Sequence, residues 1–113
     1  KNKLNMDFSL SNDLEFSKSI CTGEVKVPSF FFSNKSSLCK HTVCKTNAML
    51  SLIDKYGIKR ENTIAIGDGM NDLCMIKESG LGIAFCTNNE LINHHADLII
   101  NESNFSQLLA IVK

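Results

Sequence analysis

The rhythm of apolar and polar positions changes near residue 45. Before it, apolar residues come in short runs among serines and asparagines. Leu14–Phe16 and Ile20–Val27, separated by Ser-Lys-Ser, predict a β-hairpin. The stretch P-S-F-F-F holds the chain's only proline and predicts loop or edge strand. Its three phenylalanines predict packing against core or cap, not a stack on a ligand. From Lys45 onward, helix and strand patterns alternate. Ala48, Met49, Leu52, Ile53 and Tyr56 share one helical face, with Gly57 placed to end the helix. The β-branched run Thr63–Ile66 predicts a strand buried on both faces. A short helix is expected from about Asn71 to Gly80, a strand over Leu81–Phe85, a helix over Asn89–His95 and a strand over Asp97–Ile100. Phe105, Leu108, Leu109 and Val112 then form one apolar helical stripe behind the capping candidates Ser103 and Asn104.

Helices alternating with short apolar strands argue an α/β fold: a three-layer α/β/α, partial Rossmann-like core with a mainly parallel sheet, preceded by the hairpin. At 113 residues the chain fits one domain, 1–113. Within it, 1–44 is a helix, hairpin and loop segment and 45–113 the α/β core segment. Twelve basic and twelve acidic residues cancel, and neither sign forms a block, which argues against nucleic acid or an anionic membrane as partner. No apolar run approaches the ~18 residues of a membrane span, and no signal-peptide pattern opens the chain. A chain that begins on lysine suggests a processed or partial product. Five cysteines without a C-x-x-C read as buried thiols in a reducing cytoplasm. The C-K-H-T-V-C run, Cys39 to Cys44 around His41, is at most a metal half-site, because no second pair follows at finger spacing.

The chemistry concentrates in G-D-G-M-N-D, Gly67–Asp72, directly after an apolar strand and before a helix. In parallel sheets ligands sit beyond the carboxyl ends of the strands, which is where this run falls. Gly67 and Gly69 let the backbone turn off the strand. Asp68 at the tip offers a hard oxygen to Mg²⁺, and Asp72 one turn on can accept hydrogen bonds from metal-bound water or from a neighbouring side chain. Asn71 offers both donor and acceptor, and the helix start favours anions. An aspartate before glycine alone is a common turn residue. The whole run in this context is far more specific. Lys45, opening the preceding helix, is a second candidate, an ammonium able to neutralise phosphoryl charge. His94 and His95 read as surface residues, and Met70 and Met75 as packing.

These residues resemble the haloacid dehalogenase superfamily of phosphotransferases, and within it the phosphoserine phosphatase branch. G-D-G-M-N-D-L-C-M is similar to the superfamily's fourth motif. K-E-S-G-L-G-I-A-F through A-D-L-I-I is similar to that branch's continuation. Lys45 precedes Gly67 at the spacing expected of the third-motif lysine, and S-N-D-L-E-F through T-G-E-V resembles the phosphatase hairpin. The resemblance implies Asp68 as direct Mg²⁺ ligand and Asp72 as support for the metal's waters and the lysine. It implies Lys45 as holder of the phosphoryl group and nucleophile, and Asn71 on the phosphate side. The implied reaction is phosphomonoester hydrolysis, on phosphoserine or a similar small substrate, through an aspartyl-phosphate.

Three features depart from the family pattern. No D-x-D occurs in the sequence, no second-motif serine or threonine follows a strand at the expected place, and the substrate-selecting cap between them is missing. The loop before Lys45 is about ten residues longer than expected, and T-N-N-E-L stands where A-K-P often follows. The chain therefore looks like the C-terminal half of a phosphatase, with negligible turnover alone and an exposed sheet edge suited to self-association or to a partner. A non-catalytic binding module, another small-molecule phosphatase of the superfamily and the phosphorylation domain of a cation pump are the alternatives.

Overall fold

The computed structural model describes residues 5–33 and 41–112. Strands β1 (Asp13–Ser17) and β2 (Ile20–Lys26) pair antiparallel, with Ser17 opposite Ile20. Lys18 and Ser19 between them both hold positive φ, the geometry of a two-residue hairpin turn. A single 3-10 turn, Ser29–Phe31, follows Pro28. Phe30 and Phe31 pack ring to ring at 4.6 Å. An antiparallel bridge joins Phe32 to Val43. Phe30 and Phe31 are half-buried against each other rather than set into the core, and Phe32 is exposed. Cys39 lies outside the described residues.

Helix α1 (Lys45–Lys55) ends where Gly57 takes φ +64°, as its position in the pattern predicted. Of its expected face, Ala48 is buried and Met49, Leu52 and Ile53 are half-buried, but Tyr56 is exposed. Thr46 and Asn47 are buried instead, because the helix start is the end that packs inward. Three parallel strands, β3 (Ile64–Gly67), β4 (Leu81–Phe85) and β5 (Leu98–Ile100), form a sheet in that spatial order. Between them run α2 (Leu73–Glu78) and α3 (Glu90–His95), and α4 (Ser106–Val112) closes the chain. This is the α/β fold the pattern predicted.

The core lies between one sheet face and the two short helices. Ala65 of β3 and Ala84 of β4 meet Ile76 of α2 and Ile92 of α3, with Leu73, Met75 and Ala96 around them. On the opposite face Ile83 and Ile100 are fully buried, and the Phe85 ring stacks on Phe105 at 4.7 Å, which seats the start of α4 there. Two expectations change. β3 is not buried on both faces: among the described residues it is the sheet's edge, paired with β4 alone, and Ile64 and Ile66 are 43% and 37% exposed. The stripe on α4 is mostly bare as well, with Leu109 and Val112 exposed and Leu108 half-buried.

Helix α3 starts on a side-chain cap. The Asn89 Oδ1 accepts from the N–H groups of Leu91 (3.0 Å) and Ile92 (3.3 Å), satisfying two donors that a helix start leaves open. Asn89→Ala is expected to lower unfolding stability by about 1 kcal/mol, read from urea titration, whereas Asn89→Asp should keep nearly all of it. Equal losses in both variants would show that the cap contributes nothing.

Candidate functional site

Lysine at the first position of a helix works against the positive end of the helix dipole. Lys45 stands there, directly after the extended cap residue Cys44. A carboxylate compensates: Lys45 Nζ donates to Asp72 Oδ1 at 2.5 Å, across 27 positions of sequence. Asp72 closes a 3-10 turn, Met70–Asp72, that carries the chain from the tip of β3 into α2. Its side chain is buried, whereas Lys45 keeps 46% of its side-chain surface.

The second Asp72 oxygen, Oδ2, accepts from the backbone N–H groups of Asp68 (3.1 Å) and Gly69 (3.2 Å). Asp72 thus fastens the loop tip to itself and the lysine to the loop. Burial works to raise its pKa. The Lys45 hydrogen bond, the Gly69 N–H, the Lys45 charge and the Asp68 N–H together outweigh that and hold the carboxyl below its ordinary value.

The structure gives the glycines a different reason from the sequence reading. Neither Gly67 nor Gly69 adopts positive φ. Gly67 is needed for space, since a Cβ there would stand 2.6 Å from both Cγ and Oδ2 of Asp72. The pocket for the carboxylate is the missing side chain.

Asp68 is exposed at the strand tip, and among the described residues its carboxylate accepts no hydrogen bond. A hard, anionic, solvent-facing oxygen is the ligand type that suits Mg²⁺ bound with several waters. Asn71 is exposed and, with Lys45, lines a cavity of about 460 Å³. Phe31, Val43 and Met70 contribute its apolar wall. Met70 is therefore a cavity residue, 53% exposed, and not the packing residue expected, while Met75 does pack on the core. His94 is exposed and His95 half-buried against it, away from the cavity lining.

Two features escaped the sequence reading. Cys74 sits beside His41, with Sγ 3.3 Å from Nδ1, and Cys44 joins them. Cys21 and Cys86 are exposed, and Cys44 and Cys74 half-buried, so these thiols are not the buried ones expected. Asp97 fastens β4 from the end of α3: its Oδ2 accepts from the Gly82 N–H, and its own N–H donates to the Gly82 carbonyl, both at 2.8 Å.

The model of the haloacid dehalogenase-like hydrolases matches residues 10–109. The chain belongs to that family. It is 32% identical to the phosphoserine phosphatase of Methanocaldococcus jannaschii over all of its length and 48% of the relative's. It is 33% identical to the phosphoserine phosphatase of Archaeoglobus fulgidus, again over its whole length but 30% of that protein. Among solved structures, apo phosphoserine phosphatase superposes with a TM-score of 0.79 at 29% identity, covering 99% of this chain and 50% of that one. A substrate-bound phosphoserine phosphatase complex superposes at 0.77 and 28%, over 99% and 48%. The chain thus spans half or less of these proteins. Among the described residues no helix is long and apolar enough to cross a membrane.

Proposed function

We propose that this chain forms the lysine-bearing and metal-bearing half of a Mg²⁺-dependent phosphomonoester hydrolase acting on phosphoserine or a similar small phosphate. The observation that carries this is the Lys45–Asp72–loop connection, in which one buried carboxylate fixes an ammonium and the tip holding Asp68. Fixed charge of this kind stabilises a transferring phosphoryl group without reorganisation during the reaction.

Asp68 would hold the metal, and Asp72 would orient its waters while holding Lys45. Bound there, Mg²⁺ supplies charge neutralisation for phosphoryl oxygens. Lys45 binds the same oxygens from the helix side, and Asn71 hydrogen-bonds them from the loop. The family's nucleophile, the first aspartate of a D-x-D motif, is not in these residues, so hydrolysis through an aspartyl-phosphate requires a segment that supplies it. The open edge of β3, with Ile64 and Ile66 exposed, is the surface on which that segment or a second copy would pair.

Mixing the chain with an N-terminal phosphatase half that carries D-x-D-x-T tests this. Phosphate release from phosphoserine is expected only with Mg²⁺ present. Asp68→Asn should raise the Mg²⁺ concentration for half-maximal release by about tenfold or more. An unchanged Mg²⁺ requirement in that variant would remove Asp68 from the metal site. No release from a folded, assembled pair would favour the non-catalytic binding module.

A further inference from the structure

The cavity wall that holds Lys45 and Asn71 also carries a set of metal-ligating atoms, opposite in chemical character to the Asp68 carboxylate. His41 Nδ1, Cys44 Sγ and Cys74 Sγ all lie within 4.8 Å of one another. We propose that these three side chains bind a borderline-soft metal ion of the Zn²⁺ class, in a site separate from the oxygen site at Asp68.

The distances suit this. With Zn–S near 2.3 Å and Zn–N near 2.0 Å, a tetrahedral ion spaces its ligand atoms by about 3.6–3.8 Å. The His41–Cys74 separation of 3.3 Å is already on that scale. The 4.8 Å limit on the others leaves at most about 1 Å to close, within reach of a small side-chain rotation. Three protein ligands leave the fourth position open, and since all three residues line the cavity, that position faces the space shared with Lys45 and Asn71.

The ligands also stand on anchored backbone. The His41–Cys44 segment is tied to the preceding turn: Ser33 N–H donates to Thr42 O, and Cys44 N–H donates to Phe31 O, both at 2.9 Å. Cys74 comes from α2, which is held to the core by the fully buried Ile76. The Cys44 thiol contacts the hydroxyl of buried Thr46 at 3.4 Å, a group that can turn to donate to a thiolate and steady it on the metal. On binding, each thiol gives its proton to solvent and its sulfur lone pair to the ion, while the imidazole binds neutral.

Two thiolates and an imidazole select Zn²⁺ over Mg²⁺, and the carboxylate at Asp68 the reverse. The two sites are thereby distinguishable, and this one does not rest on the phosphatase reading. The sequence hid it because His41 and Cys44 lie together whereas Cys74 arrives from a helix beyond the next strand.

Co²⁺ and Zn²⁺ titration of the reduced, chelator-treated chain is the test. One equivalent of Co²⁺ should bind with a thiolate-to-metal charge-transfer band, displaced by Zn²⁺. Cys74→Ser, Cys44→Ser and the exposed-site variant His41→Gln should each bind about tenfold or more weakly. Cys21→Ser, Cys86→Ser and Asp68→Asn should bind as the unchanged chain does. Circular dichroism checks that each variant is folded. No charge-transfer band, unchanged affinity in His41→Gln and Cys74→Ser, or a band lost in the Cys21 or Cys86 variant would each overturn the proposal.

Discussion

Asp72→Ala is expected to destabilise the chain by about 2–4 kcal/mol and to lower phosphate release from a completed enzyme by about a hundredfold or more. The carboxylate is 4% exposed and accepts three hydrogen bonds, one from the ammonium and two from backbone N–H groups. Lys45, half open to water, recovers most of its solvation when the pair is broken, so its share of the loss is small. The Asp68 and Gly69 N–H groups have no equivalent substitute inside the loop. Each part-buried donor left unpaired costs about 1–3 kcal/mol, and they dominate the stability effect. Activity depends on the other bond, because Lys45 would no longer be held at the loop.

Acid should reproduce part of this change. The Asp72 carboxyl is held below its ordinary value, so the folded state binds its proton less readily than the unfolded chain does. Its contribution is complete above the unfolded pKa of about 4. It is lost as pH falls through the depressed folded value. Urea midpoints measured down a pH series should converge between the unchanged chain and Asp72→Ala as the solution becomes acidic. Curves that stay parallel would mean that Asp72 is not the group linked to folding.

The strands and helices of the second half were legible because they are short, continuous and punctuated. Leu81–Phe85 was readable as a strand to the residue, and Gly57 and Asn89 marked their helix ends. The hairpin was readable because a three-residue polar break separates two apolar runs. Burial was less legible. Thr63–Ile66 has the composition of a central strand, yet its place at the sheet edge is decided by which strands pair, and no local pattern encodes that. The α4 stripe failed for the same reason, since periodicity says which residues share a face and not whether anything covers it.

At the site, Gly67–Asp72 stood out as the candidate loop because its residues are contiguous. The Lys45 partnership came from resemblance alone, as nothing in the intervening sequence forces that side chain back to the loop. The His41, Cys44 and Cys74 cluster had no sequence signal as a set, since His41 and Cys44 read only as a half-site and Cys74 arrives from a helix beyond the next strand. Asp97 read as the first residue of a strand and is in fact the clamp on β4.

That clamp bears on the second large effect. Gly82→Ala is expected to destabilise the chain by about 2–3 kcal/mol and to loosen the functional loop with it. Gly82 lies buried in the central strand, fixed on one side by both bonds to Asp97. On the other side a Cβ would press into the Ile76 carbonyl oxygen and stand 2.7 Å from its Cγ2. The strand cannot retreat without breaking the Asp97 bonds, so α2 must move. α2 follows directly on Asp72 and carries Cys74, and its outward shift draws both from their partners. The thermal midpoint should therefore fall by about 8–24 °C, at ~4–8 °C per kcal/mol for a domain of this size. In the same variant Co²⁺ affinity should drop, although no ligand has been altered. A Gly82→Ala chain with unchanged melting would show that the strand and helix have room to separate, and that the close contact of α2 with β4 does not position the loop.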